Sequence, residues 1–204
     1  MHPALAFHQH DSEILRAVVA ERGLALIVGV EHGRPLVAHT PVILLEDRLR
    51  FHLSRQNPLS AVLQASGRAL AIITCDDAYI SPDWYAADDQ VPTWNYVSVE
   101  VEGGLRLMSR DLATQLLDDL TARFEARLAP KTPWTRDKMT PGRFEAMLGG
   151  IVAFEMTVER LAGISKLSQN KPEAEIARVA AALAKQPDPG SRAIAAAMSA
   201  TAEG

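Results

Sequence analysis

Three short segments of the chain combine polar and charged side chains with aromatic residues or proline at the edges of apolar runs. A purely structural segment would carry ordinary turn residues at such places. Charged and amide groups bind phosphate and polar ring edges, whereas aromatic faces cover planar rings, so the mixture indicates a flat, charged ligand. The segments are FHLSRQNP at 51–58, AYISPDWY together with VPTWNY between 78 and 96, and GISKLSQNK at 163–171.

The first segment predicts a phosphate site at the end of a strand. His52, Ser54 and Arg55 come directly before a predicted helix, and the free backbone N–H groups at a helix start favour anions. Arg55 would add charge-assisted hydrogen bonds. Taken alone, the segment is better explained by Asn57 as a helix cap and Arg55 as a solvated surface charge.

The second segment is rich in aromatic residues. Their faces and the proline turns could cover a planar ring, while Ser81, Thr93 and Asn95 bond its polar edge. An equally good interpretation is a rigid loop whose Trp and Tyr side chains plug one end of a barrel. The aromatic residues are Tyr79, Trp84, Tyr85, Trp94 and Tyr96.

The third segment lies between a predicted strand and a predicted helix that starts at Pro172. Its lysine, hydroxyl and amide groups suit a phosphate or the carbonyl-rich edge of a ring. The alternative is a solvated strand-to-helix turn with Asn170 or Lys171 beside the helix start. The polar residues of this segment are Lys166, Ser168, Gln169 and Asn170.

Hydrophobic periodicity predicts the elements that position these segments. An amphipathic helix capped by Asp11 or Ser12 ends at Gly23. Asn57 and Pro58 start a short helix that ends at Gly67. β-branched or alternating runs predict about seven strands, at 24–31, 35–41, 42–46, 48–54, 68–76, 94–103 and 150–162.

The second half of the chain predicts helices at the periphery. An apolar stripe over 111–128 indicates an amphipathic helix, and a shorter one is expected over 140–149. Another helix opens at Pro172, and the Ala-rich tail over 191–201 has little to bury. Strands and helices do not alternate regularly, which favours an α+β fold, an antiparallel barrel with peripheral helices. We expect one domain over 1–204 with a C-terminal helical segment at about 172–201.

Composition and charge argue against several classes of protein. A net charge of -4 gives no basic footprint for nucleic acid. Cys75 is the only cysteine and the N-terminus lacks a signal-peptide pattern, which predicts a cytoplasmic protein without an intrachain disulfide. No apolar run approaches the roughly 18 to 20 residues that cross a bilayer. The histidines at 8, 10 and 39 lack metal-ligand spacing, so no metal site is expected.

Taken in order, the motifs of this chain resemble the PaiB family, FMN-binding negative transcriptional regulators with a split-barrel fold like that of pyridoxamine-phosphate oxidases. The likeness covers almost the whole chain, and PTWNY followed by KLSQN is specific. The motifs are AHTP at 38–41, HLSRQNP at 52–58, AYISPDWY at 78–85, VPTWNY at 91–96, IVAFEM at 151–156 and KLSQNK at 166–171.

The resemblance implies a homodimer of FMN-binding split β-barrels, with FMN held in a groove between the subunits. Arg55 and Lys166 would neutralise the phosphate, and the segment from Trp94 to Tyr96 would flank the ring. The full set of residues carried over from the motifs as FMN contacts is His52, Arg55, Asn57, Trp94, Asn95, Tyr96, Lys166, Ser168, Gln169 and Asn170.

The resemblance leaves more than one function open. A regulator that contacts DNA directly is poorly supported, because the sequence has no helix-turn-helix pattern and no basic stripe. A flavin-dependent oxidoreductase acting on an unidentified small molecule is the alternative, since a bound flavin accepts hydride or electrons. Haem or another phosphorylated ring is a further candidate ligand. Cys75, Asp76 and Asp77 replace a Gly-Pro that is common in the family, and carboxylates facing an FMN phosphate would weaken binding.

Overall fold

The computed structural model of the protein describes residues 2–202. Its strands are β1 His8–Gln9, β2 Leu24–Glu31, β3 Arg34–Leu45, β4 Arg48–Ser54, β5 Arg68–Ile80, β6 Thr93–Leu107 and β7 Ile151–Lys166. Its α-helices are α1 Ser12–Arg22, α2 Pro58–Ser66, α3 Arg110–Ala126, α4 Arg143–Leu148, α5 Glu173–Leu183 and α6 Pro189–Ala202. Within the described residues, no helix is long and apolar enough to span a bilayer.

The strands form an antiparallel sheet in the order β1-β7-β4-β3-β2-β5-β6. β6 also pairs with β7, which closes β2 to β7 into a barrel. The predicted α+β antiparallel barrel is therefore confirmed. A closed sheet leaves few unpaired strand edges and sends alternate side chains inward.

The helix boundaries follow from their capping residues. The Asn57 side-chain oxygen accepts a hydrogen bond from the Leu59 N–H at 3.0 Å, and Gly67 ends α2 with a φ of 63°. Asp11 caps α1 by accepting from the backbone of Glu13 at 2.8 Å. These caps were predicted from sequence, and the structure confirms them.

The strands at 35–41 and 42–46, predicted as separate, are one strand, β3. The first half of β3 pairs with β2 as far as Pro41, and the second half pairs with β4 from Val42 onward. Proline has no N–H to donate, but here it marks a change of partner and not a turn. The prediction of two strands was therefore wrong at this position.

Internal contacts divide the chain into two compact units. The first unit comprises the described residues within Met1–Leu15, Thr74–Val99 and Ala162–Gly204. The second unit comprises Arg16–Ile73 and Glu100–Leu161. The long strands β5, β6 and β7 each contribute residues to both units.

The core of the first unit is built largely from its C-terminal helices. Ile194 and Met198 of α6 are buried in one cluster with Val179 and Leu183 of α5. The prediction that the Ala-rich tail has little to bury was wrong. Residues four apart fall on one helix face, so Ile194 and Met198 give the tail an apolar stripe despite its composition.

The core of the second unit is the barrel interior and the contact with α3. Phe51 stacks on Phe154 with ring centroids 5.3 Å apart, and both are buried. On the other side, Leu116 and Leu120 of α3 pack in a cluster with Ala153. Residues 152–156 of β7 are all buried, because both faces of the strand are covered there.

A buried charge joins β4 to β7 in the second unit. Glu155 is 1% exposed and lies opposite Arg50 in the strand register. Its carboxylate accepts hydrogen bonds from Arg50 Nε at 2.6 Å and Arg106 Nε at 2.7 Å. Burial raises the pKa of Glu155, but the hydrogen bonds from Arg106 and Arg50 lower it more, so the pKa lies below its usual value. The buried carboxylate is therefore ionised at neutral pH.

Candidate functional site

The second and third sequence segments meet in the first unit and line one small cavity. We call this cavity of about 210 Å³ the lysine pocket. It is smaller than the roughly 300 to 1,000 Å³ of most small-molecule sites, so it suits part of a ligand. The residues that matter below are Phe7, Tyr85, Asp89, Gln90, Lys166 and Lys171.

Lys166 is the most constrained cation of the lysine pocket. Its ammonium group donates to Thr93 Oγ1 and, at 2.7 Å, to the Trp94 carbonyl oxygen. The Phe7 ring centroid lies 5.9 Å away. Burial lowers the pKa of Lys166. Among the residues that the structure describes, no carboxylate forms an ion pair with it.

Lys171 is a second cation of the same pocket. Its ammonium group donates to Gln90 Oε1 at 2.6 Å and lies 5.3 Å from the Tyr85 ring centroid. Both of its contacts are neutral groups. Asp89 also lines the pocket, so the two lysines carry an excess of positive charge. The pocket therefore favours an anionic or carbonyl-rich group.

Beneath the lysine pocket lies a buried hydrogen-bond cluster that joins three motifs. Ser168 Oγ is 3.0 Å from both the Tyr85 hydroxyl and the Asn95 Nδ2, which donates to it. Asn95 Nδ2 also lies 3.5 Å from Met198 Sδ. All four residues are buried. The hydrogen bond between Asn95 and Ser168 therefore ties β6 to the turn that directly follows Lys166, the last residue of β7.

Gln169 and Asn170, the remaining polar residues predicted as contacts in the third segment, have different surroundings. Gln169 binds local backbone: its Oε1 accepts from the Leu167 N–H at 2.7 Å and its Nε2 donates to the Ser165 carbonyl. Asn170 is exposed and lines the lysine pocket. Asn170 is thus the one that presents its side chain to solvent beside Lys166.

Trp94 and Tyr96 line a different cavity, which we call the aromatic pocket. Its volume is about 460 Å³, and Cys75, Asp76 and Asp77 line it too. Alternate residues of a strand point to opposite faces, so the side chains at 94 and 96 diverge from those at 93 and 95. Of the described residues that line this pocket, two are carboxylates and none is a lysine or arginine, so the pocket does not fit a phosphate.

The first sequence segment lies in the second unit. Arg55 donates from Nε to the Gly149 carbonyl and from Nη2 to the Ile151 carbonyl, both at 3.0 Å. Asn57 caps α2 as described above. His52 Nδ1 is buried with no hydrogen-bond partner among the described residues, and burial lowers the pKa of His52. His52 is therefore a neutral ring with an unused nitrogen.

Sequence reasoning missed several of the residues that build these cavities. Phe7 lines the lysine pocket and directly precedes β1, which pairs with the end of β7 through His8 and Ile164. Nothing local in the sequence indicates that pairing. Gln90 directly precedes the VPTWNY motif, so its position beside Lys171 has a sequence signal that was not used.

Solved structures with this architecture were found among flavin-binding proteins. The FAD and heme binding protein of Mycobacterium smegmatis has 20% identity and a TM-score of 0.58, covering 83% of this chain and 78% of its own. The flavocytochrome Anf3 of Azotobacter vinelandii has 15% identity and a TM-score of 0.61, covering 81% and 72%. At such identities these matches show the fold alone, which is the split barrel.

Sequence comparison identifies the family. Residues 1–160 match the family described as "Putative FMN-binding domain", so the chain belongs to this FMN-binding family. The protein is also 28% identical over 193 residues to protease synthase and sporulation protein PAI 2 of Bacillus subtilis, covering 93% of this chain and 92% of that protein. The family match contains the first two sequence segments, and the third segment lies beyond it.

The described residues fit FMN in their charge and hydrogen-bonding groups. The cofactor has an anionic phosphate and a planar ring with a carbonyl-rich edge. Lys166 and Lys171 supply cationic donors without a carboxylate partner. His52 supplies a buried nitrogen that lacks a partner among the described residues. Buried polar atoms without partners are rare, and a bound ligand is one explanation for such an atom.

Proposed function

We propose that this protein binds FMN as a homodimer and that its lysine pocket makes direct contacts with the cofactor. The observation that supports this most is Lys166, a partly buried ammonium group held by a hydroxyl and a carbonyl oxygen and, among the described residues, by no carboxylate. Keeping a charge away from water is unfavourable unless something compensates for it. An anionic or electron-rich part of FMN would do so.

The predicted contacts divide into residues that touch the cofactor and residues that position them. We assign direct contact to the exposed or partly buried residues that line a cavity and to His52, whose Nδ1 has no partner among the described residues, and positioning to the remaining residues, whose side chains bond within the protein. Bound FMN would supply the capacity to accept and donate electrons. The direct group is His52, Arg55, Trp94, Tyr96, Lys166 and Asn170, and the positioning group is Asn57, Asn95, Ser168 and Gln169.

Titration of the protein with FMN and with riboflavin tests the lysine pocket. Lys166→Met removes a charged hydrogen bond worth about 1.5 to 3 kcal/mol, so FMN affinity should fall roughly 10- to 150-fold. The matched control is Lys185→Met, because Lys185 is exposed in the same unit and does not line the pocket. Equal FMN affinities for both variants would refute the contact.

Riboflavin lacks the phosphate and so reports which end of FMN the lysine binds. If Lys166→Met weakens riboflavin as much as FMN, Lys166 contacts the ring or the ribityl chain. If it weakens FMN alone, Lys166 contacts the phosphate. Flavin fluorescence and the fluorescence of Trp94, which is 53% exposed, provide two readouts of the same titration.

An apolar outer face in the second unit supports the homodimer. Val28 lies opposite Val37 and opposite Leu70 in the strand register, so these side chains share one face. That face is opposite the buried residues of β2, and Val30 and Val37 are each 57% exposed on it. Exposed apolar patches of this kind mark association surfaces. The face comprises Leu26, Val28, Val30, Val37, Leu70 and Ile72.

Light scattering of the protein after size-exclusion chromatography tests the dimer. Val37→Glu places a charge in the apolar face and should give a monomer. Leu128→Glu is the control, because Leu128 is also exposed in the second unit but is not part of that face. A wild-type protein that is monomeric at tens of micromolar would refute this part of the proposal.

Transcriptional regulation is the finer function that the family resemblance implies. It is supported by the match, over nearly the full length of both chains, to the Bacillus subtilis protein named protease synthase and sporulation protein PAI 2. With a net charge of -4, direct DNA binding would depend on a local basic surface and should weaken steeply with salt. Gel-shift titration on the protein's own upstream DNA at two salt concentrations tests it. Absent or salt-insensitive binding would refute direct regulation.

A further inference from the structure

The aromatic pocket of the first unit has the size and the walls of a ligand site. Its volume of about 460 Å³ falls within the range of roughly 300 to 1,000 Å³ that is usual for small-molecule sites. Trp94 and Tyr96 line it from β6, and Cys75, Asp76 and Asp77 line it from β5. The pocket therefore combines aromatic rings with carboxylates.

The aromatic wall of this pocket is exposed and packed in place. Trp94 is 53% exposed, and its ring makes an edge-to-face contact with the Tyr79 ring, with the centroids 6.0 Å apart. The Trp94 carbonyl oxygen accepts a hydrogen bond from the Lys166 ammonium group at 2.7 Å, and Lys166 lines the lysine pocket and not this one. An indole ring that is fixed before a ligand arrives loses little entropy on binding.

The two carboxylates of the aromatic pocket are not compensated by the described residues. Asp76 and Asp77 are both exposed, and within the described part of the chain no lysine, arginine or histidine forms an ion pair with either of them. By contrast, Glu102 of β6 pairs with Arg160 at 3.0 Å. Two uncompensated negative charges beside one cavity give a negative local potential, which favours a cationic ligand.

We propose that the aromatic pocket binds a small organic cation in which an ammonium group is joined to an apolar or aromatic body. The ammonium group pairs with Asp76 and Asp77, and the body packs against Trp94 and Tyr96. Aromatic faces attract cations and also bury apolar surface, so one wall serves both parts of such a ligand. Cation binding goes beyond the proposed FMN function and does not require it. Where FMN is bound as proposed above, the cation lies beside the flavin ring.

Two probes that differ mainly in charge test the pocket. Phenethylammonium is a cation at pH 7, whereas phenethyl alcohol carries a neutral hydroxyl group on the same body. Both are titrated into the FMN-free protein by calorimetry. The cation should bind roughly 5- to 25-fold more tightly than the alcohol, because each exposed ion pair changes an affinity by up to about fivefold. Added salt should weaken the cation alone.

Asp76→Asn combined with Asp77→Asn removes both charges and keeps the shapes of the side chains. The affinity of this double variant for phenethylammonium should fall by the same factor, while its affinity for phenethyl alcohol stays unchanged. The two single variants assign the loss to one carboxylate or to both. The matched control is Asp83→Asn with Asp88→Asn, because these exposed aspartates of the first unit do not line the pocket. The control removes the same net charge and should bind both probes like wild type.

Trp94→Leu tests the aromatic wall and should weaken both probes, because it removes the surface against which their shared body packs. Trp94 is exposed, so this variant should fold, which thermal melts check for every variant. Equal affinities of the wild type for the two probes, or unchanged cation affinity in the double aspartate variant, would overturn the proposal. A separate FMN titration keeps the two proposals apart: a protein that binds no FMN refutes the proposed function, and the FMN-free titration still decides the cation site.

Discussion

The buried carboxylate of Glu155 allows a prediction whose size follows from the structure. Glu155→Gln keeps the shape of the side chain and removes its charge. One of the two acceptor oxygens, which lie 2.6 Å from Arg50 Nε and 2.7 Å from Arg106 Nε, would become an amide NH2 group, and the other would accept without a negative charge. Because Arg55 follows β4 and its backbone N–H donates to the Gly150 carbonyl oxygen next to β7, loosening this strand pair should also disturb the turn that carries Arg55.

Arg50 and Arg106, the two residues that donate hydrogen bonds to Glu155, do not contribute equally. Arg50 is only 17% exposed and would be left largely without solvation, whereas Arg106 is 65% exposed and can return to water. A charged hydrogen bond contributes about 1.5 to 3 kcal/mol, and an exposed pair about 0 to 1. Removing one partner of a buried pair costs about 3 to 5 kcal/mol. We therefore expect Glu155→Gln to lower the free energy of unfolding by about 2 to 4 kcal/mol at pH 7.

Urea unfolding of both proteins at several pH values measures this effect. The pKa of Glu155 is lowered in the folded protein, so its contribution is complete above the unfolded value of about 4.3 and is lost as the pH falls through the folded value. The difference between wild type and Glu155→Gln should shrink accordingly on acidification. The control is Glu159→Gln, which breaks an exposed pair with Arg68 and should have a much smaller effect. A Glu155→Gln variant as stable as wild type at pH 7 would refute the reasoning.

Three further substitutions test individual packing and ligand contacts. His52→Phe should leave the FMN-free protein at least as stable, because it removes an unpartnered nitrogen, while weakening FMN in fluorescence titrations; unchanged affinity would contradict a contact. Since burial lowers the pKa of His52, the wild type alone should lose stability below about pH 6.5. Gly103→Ala should unfold the protein at much lower urea, because its Cβ would lie 1.7 Å from the Thr157 carbonyl oxygen, whereas Gly104→Ala should not. Ser168→Ala should lower the free energy of unfolding by about 1 to 3 kcal/mol in the same assay.

Much of the fold was predictable because its signals are local. Asn57 and Gly67 act within one turn of the residues they cap, and the alternation of β4 separates buried Phe51 from His52 without any tertiary information. Strand ends were less predictable. β5 and β6 run several residues past the predicted limits, because pairing partners and not the strand's own residues decide where a ladder stops.

The candidate site was predictable in its residue types and not in its grouping. Trp94 and Asn95 are neighbours in a predicted strand, so their side chains point to opposite faces. The family resemblance nevertheless implies that both contact FMN. In the structure Asn95 is buried against Ser168, and Trp94 lines the acidic aromatic pocket with Asp76 and Asp77. The prediction that all ten residues contact FMN stays a prediction, and the FMN and riboflavin titrations address it.

By itself, the sequence determined the caps, the strand alternation, the family resemblance and the residue types suited to an anionic ring. Only the tertiary structure decided which charges are neutralised. Glu155 is compensated by Arg50 and Arg106, whereas Arg55 and Arg110 line one cavity in which none of the described lining residues is a carboxylate. The reason is physical: caps and alternation depend on neighbours a few residues away, but the field at a charged group depends on residues that strand register brings together from distant parts of the chain.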